Sequence, residues 1–179
     1  MAWTTHNSRT VYENRWIRVR EDEVAGPGGE GIYGVVEMQH PAVFVVALDE
    51  DDRVCLVGLD RYTTGAGLEV PAGGTDGEDP LTAARRELAE EAGLAASHWE
   101  HLGLTYALNG IALAPEHVYL ARGPFETTDA AASQGEEGID QVSWIPFADV
   151  LRMIADGRIT DGESIAAIAY AGIRLGRFA

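Results

Sequence analysis

Pro80-Leu81-Thr82-Ala83-Ala84-Arg85-Arg86-Glu87-Leu88-Ala89-Glu90-Glu91-Ala92-Gly93-Leu94, entered through Gly77-Glu78-Asp79, is the stretch on which the reading of this chain turns. Asp79 is a good N-cap, Pro80 suits the first helical position and Gly93 suits a left-handed stop, so a helix is expected between them. Leu81, Ala84, Leu88 and Ala92 recur at helical spacing and supply its buried stripe. Glu87, Glu90 and Glu91 are expected to point away from that stripe, toward the exposed side. Three carboxylates inside five residues repel one another, and the i,i+4 pair of Glu87 and Glu91 alone costs a few tenths of a kcal/mol in an isolated helix. A hard cation removes that repulsion, and Mg²⁺ commonly bridges carboxylates to substrate phosphates. The cluster therefore reads as a metal–diphosphate site. Taken without its surroundings, it reads equally as a solvated acidic face.

The surroundings favour the site. Arg86 lies four residues before Glu90 and can hold a carboxylate by a charge-assisted hydrogen bond. Upstream, Gly65-Ala66-Gly67-Leu68-Glu69-Val70-Pro71-Ala72-Gly73-Gly74-Thr75-Asp76-Gly77 is too rich in glycine for regular structure, except briefly at residues 68–70. Its Ala72-Gly73-Gly74 turn can bring backbone groups close to a ligand.

Farther upstream, Ala42-Val43-Phe44-Val45-Val46-Ala47-Leu48 is continuously apolar, as for a strand covered on both faces. It turns through the acidic residues 49–52 into Arg53-Val54-Cys55-Leu56-Val57-Gly58-Leu59, giving a hairpin. Residues 1–40 are polar and glycine-rich, with two short strand-like pieces, residues 16–20 and 32–37, flanking the turn Gly26-Pro27-Gly28-Gly29. Downstream, strands are expected at residues 103–106, 117–121 and 141–144, with a polar loop over 127–140. Helices are expected over 146–155 and from 164 to 172 or beyond. This order predicts an α/β or α+β fold, a mixed sheet sandwiched between helices.

The chain has 179 residues, enough for one well-buried domain. Its formal charge of −16 argues against a nucleic-acid partner, because polyanions are repelled. All thirteen basic residues are arginine. No apolar run approaches the ~20 residues of a membrane span. The opening Met1-Ala2-Trp3-Thr4-Thr5-His6 lacks the basic and apolar regions of a signal peptide, and Cys55 is the single cysteine, so cytoplasm is the expected compartment.

Glu78, the glycine turn before it and Arg-Glu-Leu-x-Glu-Glu-x-Gly-Leu after it together resemble the signature of the Nudix hydrolases. His40-Pro41-Ala42-Val43, Asp60-Arg61-Tyr62, Leu68-Glu69-Val70-Pro71-Ala72-Gly73 and Trp144-Ile145-Pro146 follow in the order seen in the ADP-ribose pyrophosphatase branch. The resemblance covers residues 16 to 170 and implies hydrolysis of ADP-ribose or a related nucleoside diphosphate sugar, with residues 1–40 as a strand arm exchanged in a homodimer and 41–179 as the catalytic domain. It implies that Glu87, Glu90 and Glu91 hold Mg²⁺ or Mn²⁺ with the Ala72 carbonyl, and that Glu78 and Arg86 are structural partners. Glu90 also counts among the catalytic residues. It implies a general base from a late loop, where Glu137 is favoured over Glu136 and an acidic surface loop is the alternative. Arg61 is a candidate for phosphate or ribose, or a surface salt bridge. Glu69 is a candidate for base or ribose, or a structural residue, and Glu116 for a place near metal or substrate. Trp3, Trp16 and Tyr33 stack on a base or pack within the arm; His40 reads as structural. One departure stands out. The family places five residues between its glycine and glutamate; Gly73 and Glu78 are separated by four, most simply through a loss between Asp76 and Gly77, which loosens the substrate assignment. The alternatives to the main reading are another nucleotide sugar or dinucleotide as substrate, and a catalytically silent nucleotide sensor.

Overall fold

The computed structural model describes residues 2–127, 134–135 and 138–178. Two sheets carry it. The first is an antiparallel meander of β1 (Thr4–Glu13), β2 (Ile17–Gly26) and β3 (Gly29–Met38), to which the short β9 (Ala112–Leu113) adds in parallel. The second has the order β11 (Ile139–Pro146), β5 (Arg53–Arg61), β4 (Ala42–Leu48), β10 (Pro115–Glu126), β8 (Leu94–Tyr106), with β6 (Gly65–Glu69) paired to β5 and β7 (Ala72–Gly74) paired to β4. Only the β4–β10 pair is parallel in this second sheet. Helix α1 (Pro80–Ala92) covers one face; α2 (Phe147–Ala155) and α3 (Gly162–Arg174) cover the other.

The continuous apolar run of β4 explains its central position. Val43, Val45 and Ala47 pack with Ala83, Ala84 and Leu88 of α1, whereas Val46 and Leu48 pack with Phe147, Val150 and Ile168 of α2 and α3. Successive side chains leave a strand on opposite faces, so a strand clad on both sides needs both sets apolar. The protein is thus a mixed α+β sandwich, as expected. Among the described residues, no helix is long and apolar enough to cross a membrane.

α1 begins and ends as its residues dictate. Asp79 Oδ2 accepts from the Thr82 N–H at 3.2 Å, Pro80 opens the helix, and Gly93 closes it at φ 70°. Asp79→Ala is expected to cost about 1 kcal/mol, the usual worth of such a cap, read as a lower urea midpoint with an unchanged slope.

Three expectations fail. The strand β1 was not foreseen: all ten of its residues are exposed, so it carries no apolar alternation to read. Instead of a hydrophobic face it uses the ladder to β2 and the Arg9–Glu21 ion pair, and Asn14 Oδ1 caps the turn by accepting from Trp16 and Ile17 N–H. The glycine-rich stretch is more regular than expected, because β6 and β7 take their order from pairing with β5 and β4 rather than from side chains. Finally, Glu87 and Glu91 are not on an exposed face. They are 7% and 4% exposed, beneath the β7 turn.

Candidate active site

The site forms where β7 lies over α1. Glu91 Oε2 accepts from the Ala72 N–H at 2.8 Å, pinning the turn to the helix. Gly73 sits against Glu87 so closely that a Cβ there would fall 2.6 Å from Oε2 and closer still to Oε1. Only glycine leaves space for that carboxylate.

Arg86 gathers the rest. Its Nη1 donates to Glu87 Oε1 at 2.8 Å and to Glu90 Oε2 at 3.0 Å, its Nε to Glu78 Oε2 at 3.1 Å, and its Nη2 to the Gly74 carbonyl at 2.9 Å. Burial pulls the guanidinium down, but the Glu78 hydrogen bond and the charges of Glu87 and Glu90 outweigh it and hold the group above the usual arginine value. The shortened loop does not open this arrangement. Asp76 and Gly77 adopt φ 49° and 87°, and the Glu78 N–H donates to the Thr75 carbonyl at 2.8 Å. Two successive positive φ values inside a closed four-residue turn are the pattern of type I′, which replaces a longer loop by a tight one and keeps Glu78 within reach of Arg86.

Among the described residues, no three His, Cys, Asp or Glu side chains already stand as a formed metal centre. The donor set nevertheless suits a hard divalent cation: it is all oxygen, two of its carboxylates are buried, and Gly73 lets the Glu87 carboxylate lie directly against the β7 turn.

Around this centre, Arg61 and Glu69 form an ion pair, Nη2 to Oε2 at 2.7 Å with Nε sharing both oxygens. The Glu69 hydrogen bond raises the Arg61 pKa against the opposing effect of burial, and Glu91 and Asp161 add to it, so the guanidinium lies within electrostatic reach of Glu91 on α1 and of the α3 cap. Glu116 is buried at the start of β10 and accepts from Thr105 Oγ1 at 2.9 Å. It borders a cavity of about 290 Å³ lined by Met38, His40, Ala42, Leu108 and Ile111. The His40 ring lies 3.8 Å from the position of a Cβ on Gly77, which ties that cavity to the box turn. Of the aromatic trio, Trp3 meets Tyr33 edge-on at 5.6 Å, while Trp16 lies under Arg15 at 4.1 Å. Glu136 and Glu137 lie outside the described residues. Gln134, just before them, donates to the Glu91 carbonyl at 3.0 Å.

Sequence reasoning missed the acidic neighbours of Glu116. Burial raises the Glu116 pKa first, partly offset by Thr105, and the Asp161 charge raises it further; Glu163 is raised by burial and by Asp161 as well. Asp161-Gly162-Glu163 reads locally as a helix start, and nothing in the chain announces that it packs near a residue so far upstream. A carboxyl raised in the fold contributes stability that is present below its unfolded value, ordinarily about 4.3, and lost as pH rises through the folded one. Glu116→Gln is therefore expected to stabilise the protein at pH 7 relative to wild type, with the difference in Tm vanishing near pH 4.

Comparison with known proteins now places the chain. Residues 38–168 match the NUDIX domain and residues 3–36 the nucleoside diphosphate sugar hydrolase N-terminal domain, so the chain belongs to the Nudix hydrolase family. It is 36% identical to the ADP-ribose pyrophosphatase of Mycobacterium tuberculosis, over 94% of this chain and 80% of that protein. It is 31% identical to the CMP-5'-(N-acetyl-N-hydroxy-3-aminopropyl)phosphonate hydrolase of Streptomyces rubellomurinus, over 97% and 84%. The crystal structure of an ADP compounds hydrolase shares the fold, with a TM-score of 0.84 at 19% identity over 99% of this chain and 96% of that one. Proteins of this family generally use divalent metal ions.

Proposed function

We propose that the protein hydrolyses the diphosphate bond of ADP-ribose or a related nucleoside diphosphate sugar, giving a nucleoside monophosphate and a sugar phosphate. The observation that carries this is the cluster of Glu87, Glu90 and Glu91 under the Ala72–Gly74 strand, closed by Arg86 and Glu78. Glu87, Glu90, Glu91 and the Ala72 carbonyl would hold Mg²⁺ or Mn²⁺. When bound, such an ion supplies positive charge to the diphosphate oxygens and acidifies a water for in-line attack. Water adds to one phosphorus as the bridging P–O bond breaks, and Glu137 or Glu136 takes its proton. Support for that base is the Gln134 side-chain bond to the Glu91 carbonyl, which sets Gln134, two residues before Glu136, against α1.

The roles of the other residues follow from position. Arg61, held in place by Glu69, serves phosphate or ribose. The cavity beside His40 and Glu116 suits an organic moiety of the substrate, apolar over most of its wall with carboxylates at its edge. A homodimer exchanging its arms is favoured by β1, a long exposed edge strand of the kind that proteins usually cover. A cytoplasmic setting agrees with a single cysteine, Cys55, which leaves no internal disulfide to form.

The test is a phosphate-release screen over nucleoside diphosphate compounds with Mg²⁺ and with Mn²⁺, using a phosphatase that attacks only the monoester products. Metal-dependent release from ADP-ribose or a nucleotide sugar is expected. Tight nucleotide binding without turnover of any diphosphate would instead make the protein a sensor.

A further inference from the structure

We propose that His101 of β8 and His117 of β10 form a second cation site, one for a borderline transition metal of the Zn²⁺ or Cu²⁺ class, chemically separate from the carboxylate cluster of α1. The backbone goes out of its way to bring these two imidazoles together. His117 pairs with Leu104 and Val118 with Gly103, but Tyr119 pairs with His101, skipping Leu102. Had the register continued, His101 would lie opposite Leu120 and share its face, which is the face packed under α2 and α3. Because one extra residue reverses the side of everything beyond it, the bulge moves His101 to the face of His117 and Tyr119. Re-aiming a side chain is a recurrent use of such bulges.

The result is an imidazole pair with His101 Nε2 and His117 Nδ1 3.2 Å apart and ring centroids 5.3 Å apart. Two nitrogens bound to one tetrahedral Zn²⁺ at about 2.0–2.1 Å stand roughly 3.3–3.4 Å apart, so the pair is already near the bite a metal requires. The two nitrogens stand within hydrogen-bond distance, and a bound cation would take the place of that contact. His101 is exposed and His117 half-buried, leaving the nitrogens approachable. The Tyr119 ring packs 5.0 Å from His101 and steadies it. Asp79 lies within electrostatic reach of His117 and favours positive charge there, while burial and the neighbouring His101 keep the ring neutral and ready to coordinate. Among the described residues no third His, Cys, Asp or Glu converges on the pair. The site therefore offers two protein ligands and leaves the remaining positions to water or to a donor brought by a ligand. Imidazole nitrogens suit Zn²⁺ and Cu²⁺, whereas carboxylates suit Mg²⁺ and Mn²⁺, so the two sites divide the available ions by ligand type.

The experiment titrates untagged protein with Cu²⁺ under saturating Mg²⁺ and records electron paramagnetic resonance, in which imidazole nitrogens split the copper signal and carboxylates do not. Wild type is expected to bind one Cu²⁺ with two-nitrogen coupling. His101→Gln and His117→Gln should each lose one nitrogen and weaken binding at least tenfold, with circular dichroism confirming the fold. Glu91→Gln should leave the copper spectrum unchanged. A wild-type spectrum without two-nitrogen coupling, or two-nitrogen coupling that persists in either histidine variant, overturns the assignment.

Discussion

Glu91→Gln is expected to lower turnover by about 100-fold or more while leaving the protein folded. The substitution isolates charge from shape. Glu91 Oε2 accepts the Ala72 N–H, and a glutamine carbonyl oxygen can take over that bond in the same place. What disappears is the negative charge of a side chain that is 4% exposed, one of the oxygens proposed to hold the divalent ion. Steady-state rates across a range of Mg²⁺ concentrations, with the thermal melt as the folding control, give the answer. An unchanged rate would put the cation elsewhere.

Gly73→Ala is expected to cut turnover by roughly 10- to 100-fold while changing stability by no more than about 1 kcal/mol. The added methyl collides first with the Glu87 carboxylate, whose atoms are the three nearest it meets. Because that carboxylate is the far end of a rotatable side chain, the clash is relieved by turning Glu87 away from Arg86 and the β7 turn, a rotamer adjustment and not a rupture of the core. A large fall in rate beside a small fall in Tm would therefore report displacement of one carboxylate. A variant that melts far below wild type, or one that keeps its full rate, would contradict this account of the glycine.

The helix that carries the carboxylates was legible down to its caps, because Asp79, Pro80 and Gly93 act locally. The burial of Glu87 and Glu91 was not. Periodicity assigns charged positions to solvent, and here the cover comes from β7, a strand of three residues with almost no side-chain signal. The central strands were legible because both of their faces are apolar. The strand β1 was not, since neither of its faces is. The grouping of Glu116 with Asp161 and Glu163 depends on where α3 docks, and the partner of Arg61 on where β6 pairs. Such contacts across the chain are decided by packing, which no local pattern records. The two loop glutamates proposed as base lie outside the described residues, so only the sequence speaks for them.

Arg86 has a consequence for how the site exchanges ions. By bridging Glu87 and Glu90 with one nitrogen, and Glu78 and the Gly74 carbonyl with its others, it acts as an internal counter-ion that the chain carries permanently. Its single positive charge offsets part of the repulsion among Glu78, Glu87 and Glu90, so the chain itself helps hold these carboxylates together. An ion held as proposed would compete with Arg86 for Glu87 Oε1 and Glu90 Oε2, so its measured affinity would include the cost of that competition.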